Sequence, residues 1–238
     1  MACNSDRRER ESLSILLGET FADLFPNWRD NGRAMAEEPQ TLSDLAERAL
    51  LRDPIAPTPE WLVVRLLVLL VLISWTWALT RASIESNAVG ESFLHLIDLP
   101  FHEAGHVIFM PLGQFLMALG GSLMQLIVPG ALTAVFLTRH RDPFGAAVTT
   151  WWLGENLLDL APYINDARNL SLVLIGGKTG AEVEGHDWEY ILMSLGWLQH
   201  DHTLAKAAHF GGTFIMVFAC GWAVTLIIRQ WQARSSES

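Results

Sequence analysis

Cysteine is nearly missing from this chain: 238 residues contain two, Cys3 and Cys220. One lies in a polar stretch and the other in an apolar one, so a fold stapled by disulfides is excluded and a bridge between them is not expected. Positive charge is also in deficit. Sixteen lysines and arginines face 26 acidic residues, for a formal net charge of −10. A chain of that sign repels phosphate backbones, and no nucleic-acid partner is expected. No basic stretch followed by a short apolar core opens the sequence, so the first long apolar block is expected to act as its own insertion signal. Cys3 follows no such leader and does not read as a lipid acceptor. Internal repeats and long low-complexity tracts are missing as well.

What the chain has instead is apolar residues, 50% of the total. They gather into blocks close to the roughly 20 residues that a bilayer requires. Five blocks stand out, at 61–80, 93–111, 115–137, 144–163 and 207–228. The expected fold is an all-α, polytopic integral membrane protein with four to five transmembrane or re-entrant helices. Residues 1–59 form a polar N-terminal region with helical patterning around 13–24, a helix start at Thr41-Leu-Ser-Asp44 and a stiff linker at 54–59. The membrane domain covers 60–229 and carries a polar loop at about 165–206, with a short helix near 190–198. Residues 230–238 are a polar tail. Arg139, Arg141, Arg229 and Arg234 mark cytoplasmic ends. If all five blocks cross, the N-terminal tail is outside; if 93–111 is re-entrant, the tail stays inside. The re-entrant version is preferred, because polar groups and a proline are tolerated at membrane depth where they line a protein cavity.

Two of the blocks are polar in a patterned way. The second contains His102-Glu103-Ala104-Gly105-His106, a match to H-E-x-x-H. On a helix the two histidines share a face and can grip one ion, and the glutamate beside them can deprotonate a water on that ion. Charged residues inside an apolar segment cost about 2.5–3.5 kcal/mol each on insertion scales, which makes them functional by default. Catalytic zinc takes three protein ligands and a water. The fourth block supplies candidates for the third, Glu155 and Asp159, four apart on one helical face. The competing reading of both groups is polar residues that fasten helices to one another.

HEAGH with a later Glu-x-x-x-Asp resembles the thermolysin-like metallopeptidases, the gluzincins. That resemblance implies Glu155 as the third metal ligand, with Asp159 orienting the first histidine. The chain over about 93–166 also resembles the site-2 protease family of intramembrane metalloproteases. There HExxH lies in one membrane segment and the aspartate of a Leu-Asp-Gly motif in a later one. Leu158-Asp159 matches the first two positions and Leu160 stands where the glycine would be. Gln125 and Pro129 fall between the two segments, without that family's full Asn-Pro signature. This second resemblance implies Asp159 as ligand, so Glu155 and Asp159 divide the roles of ligand and support in either order. Together the resemblances imply a zinc-dependent peptidase acting on membrane-associated polypeptides, with Glu103 as general base and acid, in a bacterial inner membrane.

Other polar residues carry weaker expectations. Asp98 and His95 precede His102 by four and seven residues and share its face. Asp98 is a candidate to accept a hydrogen bond from a ligand histidine, or to serve a helix start. Asp166 reads as a site-rim residue or an exposed turn. Asp187 reads as a cap for the short helix, and His186 as a candidate to return to the metal or to meet substrate. His200 and His202 read as solvated, and Trp151 and Trp152 as packing or lipid-interface residues. Two rival functions remain: a zinc hydrolase for non-peptide substrates, and a non-catalytic membrane subunit or assembly factor.

Overall fold

The structure, a computed structural model, describes residues 41–51, 58–183 and 185–235. The patterned stretch at 13–24, Cys3 and most of the expected linker lie outside the described residues. The chain divides into two compact units, Met1–Arg48 and Ala49–Ser238. Helix α1 (Leu42–Leu51) starts where the sequence places a start: the Thr41 hydroxyl accepts from the Asp44 N–H at 3.2 Å.

All regular structure among the described residues is helical, apart from one isolated bridge between Val173 and Thr179. After α1 come α2 (Pro59–Thr80), α3 (Phe93–Phe109), α4 (Gln114–Val135), α5 (Pro143–Asn165), α6 (Asp187–Leu195) and α7 (Asp201–Ser235). Three of these are long and apolar enough to cross a membrane: α2, α4 with its continuation to His140, and α7 with the turn before it. Helix α2 shows why. It buries only the stripe Leu62, Leu69 and Leu72, while Val63, Leu66, Leu67 and Leu70 stay exposed. A fully buried side chain of that size gains about 1.5–3 kcal/mol by leaving water, so such a face belongs against lipid.

Helix α5 is the opposite case, buried from Pro143 to Asn165. Its first turn is capped by Asp142, which accepts from the Phe144 and Gly145 N–H groups. It packs on α7 backbone to backbone, where a Cβ on Gly154 would lie 2.8 Å from the Gly212 carbonyl oxygen. The Trp151 indole donates to Thr76 of α2 at 2.7 Å. The starts of α2 and α5 lie together, since Arg65 meets Asp142 at 3.7 Å and covers the Phe144 ring. The Trp222 indole of α7 donates to the Leu50 carbonyl of α1 at 2.6 Å.

Helix α3 turns back on α4 through Met110–Leu112 and Gly113, whose φ of 98° favours glycine. The two helices touch at Gly105 and Gly120, where a Cβ on Gly120 would sit 2.7 Å from the Gly105 carbonyl oxygen. Two boundaries differ from expectation. The short helix near 190–198 is α6, which ends earlier because Gly196 takes the left-handed conformation at φ 67°. Helix α7 runs into the expected polar tail, because Arg229, Gln230, Gln232, Ala233 and Arg234 are good helix formers and no glycine or proline interrupts them.

Candidate metal centre

His102 and His106 share one face of α3, their ring centroids 4.9 Å apart. Each ring has its Nδ1 side assigned. His106 Nδ1 stands 2.8 Å from the Met117 carbonyl oxygen, which can only accept, so this nitrogen carries the hydrogen. His102 Nδ1 stands 3.0 Å from Gln125 Oε1. The Gln125 amide is oriented in turn because its Nε2 donates to Asp159 Oδ2 at 2.7 Å. Both imidazoles therefore turn Nε2 lone pairs toward the same space, fixed by their hydrogen-bonded partners as metal ligands are.

That space is completed by Asp187. Its Oδ2 lies 3.3 Å from His102 Nε2 and 3.3 Å from His106 Nε2, and the three residues form a group able to hold a metal ion. Two lone pairs aimed at a carboxylate need a proton or a cation between them. The spacing suits a cation: donors 2.0–2.1 Å from a tetrahedral ion stand about 3.3 Å apart. Space is kept free as well. A Cβ on Gly121 of α4 would lie 2.5 Å from His102 Nε2 and 2.7 Å from His106 Nε2, so only glycine leaves the cradle open. Donor chemistry, spacing and space all fit a bound metal ion.

Asp187 is placed by several contacts. Its N–H donates to the Tyr163 hydroxyl at 2.9 Å, and that hydroxyl donates to Oδ2 at 3.1 Å. The next residue, Trp188, donates from its indole to Ser122 of α4 at 3.2 Å. The cap of α6 is His186, whose Nδ1 accepts from the Glu189 N–H at 3.2 Å. His186 stacks on Tyr163 with centroids 4.3 Å apart and keeps Nε2 3.6 Å from Asp166; burial pushes its imidazole pKa down. The expected roles of this pair are thus exchanged: the histidine caps, and the aspartate faces the metal histidines.

The fourth-block carboxylates lie elsewhere. Glu155 is not in the donor group; it is fully buried on α5 within hydrogen-bonding reach of Asp98. Asp159 is not in the group either. Its oxygens are taken by Gln125 and by His95 Nδ1 at 2.9 Å, so it meets His102 only through the Gln125 amide. Asp98 accepts from the Trp152 indole at 2.7 Å and does not reach a metal histidine. Asp166 is buried and organises the loop after α5, accepting from the Ser171 N–H and hydroxyl and from the Leu172 N–H.

The histidines open into a cleft of about 470 Å³ that is also lined by Glu103, His95, Tyr163 and the apolar run Leu172 to Ile175. Glu103 is exposed there, one residue from His102. Asp187 and Gln125 are the residues that sequence reasoning missed as parts of the centre. The one signal for Asp187 was a His-Asp pair after a glycine at a helix start. No periodicity marks a loop residue that closes on a site through tertiary contacts. Comparison with known proteins finds no matching family model, no matching curated protein and no matching solved structure.

Proposed function

We propose that this protein is a membrane-embedded, zinc-dependent peptidase whose ligands are His102, His106 and Asp187, with Glu103 as general base and acid. The observation that carries the reading is the convergence of two Nε2 lone pairs and one carboxylate at the edge length of a tetrahedral site. When bound, zinc supplies a water acidic enough to ionise near pH 7 and a Lewis acid for the scissile carbonyl. With zinc held there, Glu103 would accept a proton during hydrolysis and return it to the leaving amine. Gln125 and Asp159 hold His102 in the tautomer that offers Nε2. The apolar run beside the site, with Val173 and Ile175 exposed, suits a membrane-associated polypeptide better than a soluble polar one.

The same reading gives a topology. Helix α4 runs against α5, pairing Gln125 with Asp159 and Thr133 with Thr149. Helix α3 meets Asp159 through His95 near its start and Met117 through His106 near its end. Both contacts lie towards the same end of the bundle, which supports a re-entrant α3, with α2, α4, α5 and α7 crossing. The Arg139-His-Arg141 turn, the start of α2 and the end of α7 then share the opposite face, which the positive-inside rule assigns to the cytoplasm. The metal centre opens on the other side.

A second reading has support of its own. The His95–Asp159 and Asp98–Trp152 hydrogen bonds join α3 to α5, as a non-catalytic subunit with helix-fastening polar groups would require. One experiment separates the two: elemental analysis of the purified full chain, with a peptide-cleavage assay on wild type and Glu103→Gln. About one zinc per chain, with cleavage lost in the variant and zinc retained, supports the peptidase. Metal content unaffected by replacing His102 and His106 would rule the site out.

A further inference from the structure

Helix α6, which opens with Asp187, is nine residues long and has two unlike faces. Ile191 and Leu192 are buried against the protein. Met193 and Leu195, with Trp197 just past the Gly196 cap, stand open at 59%, 48% and 53% exposure. The run from Met193 to Leu198 holds no charged residue. Large apolar side chains exposed so close together mark a surface that meets something other than water.

What covers it follows from the level at which α6 lies. Trp188 packs in a cluster with Leu126 of α4, Leu160 of α5, and Leu204 and Ala208 of α7. Lys206 lies between the last two and is exposed, and one turn further on the exposed face Phe210, Phe214, Val217 and Phe218 begins. On a spanning helix a lysine at such a place reaches the headgroups while the aromatic residues below it face acyl chains. Helix α6 therefore starts at headgroup depth. It also stands where lipid would otherwise stand. The half of α4 towards His140 exposes Ile127, Leu132 and Val135, whereas the half towards Gln114 buries Ala118, Gly120, Gly121, Ser122 and Gln125. That second half is covered by α3 at the Gly105–Gly120 contact and by α6 at the Trp188–Ser122 hydrogen bond. An element that shields half of a spanning helix from the bilayer turns its own far side to the bilayer.

We propose that α6 is an interfacial helix: Met193, Leu195 and Trp197 insert between the headgroups and upper acyl chains of the leaflet on the metal-centre side, and this lipid contact helps to seat Asp187. The role rests on the membrane topology proposed above and is independent of peptide cleavage. Amphipathic elements of this kind sink about 5–10 Å into the headgroup boundary. A tryptophan suits that depth, with an apolar ring and an N–H for the headgroups. The path to the ligand is short, because Met193 follows Asp187 by six residues, about 9 Å along the helix. The bilayer thus grips one end of a helix whose other end faces the two histidines.

The test uses the purified full chain in discs of phosphatidylcholine and phosphatidylglycerol, with Cys3→Ser and Cys220→Ser as background. One spin label at a time is attached to Met193→Cys, Trp197→Cys or Phe214→Cys. Collisions with oxygen, which concentrates among acyl chains, are compared with collisions with a water-soluble nickel chelate. The first two labels should favour oxygen and report a depth of about 5–10 Å, with the label on α7 deeper. Nickel access to the α6 labels beside a deep α7 label would overturn the proposal and leave the membrane reading standing; nickel access to all three would overturn both. Shielding of the α6 labels from both reagents would put protein on this face and overturn the lipid assignment. In the same discs Met193→Ser with Trp197→Ser should weaken zinc binding a few-fold, less than the loss of a partner that touches a ligand. Unchanged zinc affinity with lipid-embedded labels would overturn the link to Asp187.

Discussion

The candidate metal centre and the buried Asp98 and Glu155 carboxyls one turn away share helix α3, and they are finished in different ways. At the metal centre each supporting atom has a named partner: His106 on the Met117 carbonyl, His102 on Gln125, Gln125 on Asp159, Asp187 on Tyr163. What is left over is a directed set of two nitrogens and one oxygen. At Asp98 and Glu155 the Trp152 indole is the one hydrogen-bond donor among the described residues, and three carboxylate oxygens are left over. Only the first set has its donors oriented in advance. A saturated outer network fixes geometry and so selects a borderline ion in one coordination.

Two substitutions test that contrast at its strong end. Glu103→Gln should lower peptide cleavage by at least about 10²–10⁴-fold, the usual worth of a positioned proton carrier, while zinc stays bound. A cleavage assay beside elemental analysis decides it, and near-normal turnover in the zinc-loaded variant removes Glu103 from the mechanism. Gly121→Ala should reduce zinc to background, since its methyl group would crowd both Nε2 atoms. Alanine favours a helix interior over glycine by about 0.5–1 kcal/mol. Circular dichroism should therefore report a folded protein that has lost its metal, and full zinc occupancy would show that the histidines do not converge on that space.

Gln125→Leu and Glu155→Gln sharpen the comparison further. Gln125 reaches the ion only through His102, so its loss should weaken zinc by about 10–100-fold in a competition titration with a chelator. Glu155→Gln alters the buried carboxyls alone and should leave zinc affinity at the wild-type value. If Glu155→Gln strips the metal and Gln125→Leu does not, the two groups have been assigned the wrong way round.

Much of the architecture was legible because it is written in runs. The apolar blocks give the long helices, three of them long and apolar enough to cross a membrane, and HEAGH puts two histidines on one face by helical period alone. The same period made Glu155 and Asp159 look like partners for the histidines, because it reports which residues share a face and not what that face meets. Here the Asp159 oxygens are already taken by His95 and Gln125, and Glu155 sits a turn deeper beside Asp98. Asp187 was illegible as a ligand for the complementary reason. It reaches the site from a loop that is organised by Asp166 and anchored by Tyr163 and Ser122, and none of these contacts follows a sequence period.

The smallest expected effect tests whether that anchoring matters. Ser122 accepts from the Trp188 indole at 3.2 Å, a long bond between α4 and the first turn of α6. A hydrogen bond of this kind contributes about 0.5–1.5 kcal/mol net. Ser122→Ala removes it while keeping a small side chain at the α4 surface. Asp187, one residue before Trp188, would still be tied to Tyr163, so the carboxylate should loosen but stay near the histidines. The expected outcome is a loss of about 2- to 10-fold in zinc affinity, with the fold unchanged. Tyr163→Phe cuts the direct tie to Asp187 and should cost more than Ser122→Ala in the same titration. If both leave zinc affinity untouched, Asp187 is not held as a ligand by these contacts, and the third donor must come from elsewhere in the chain.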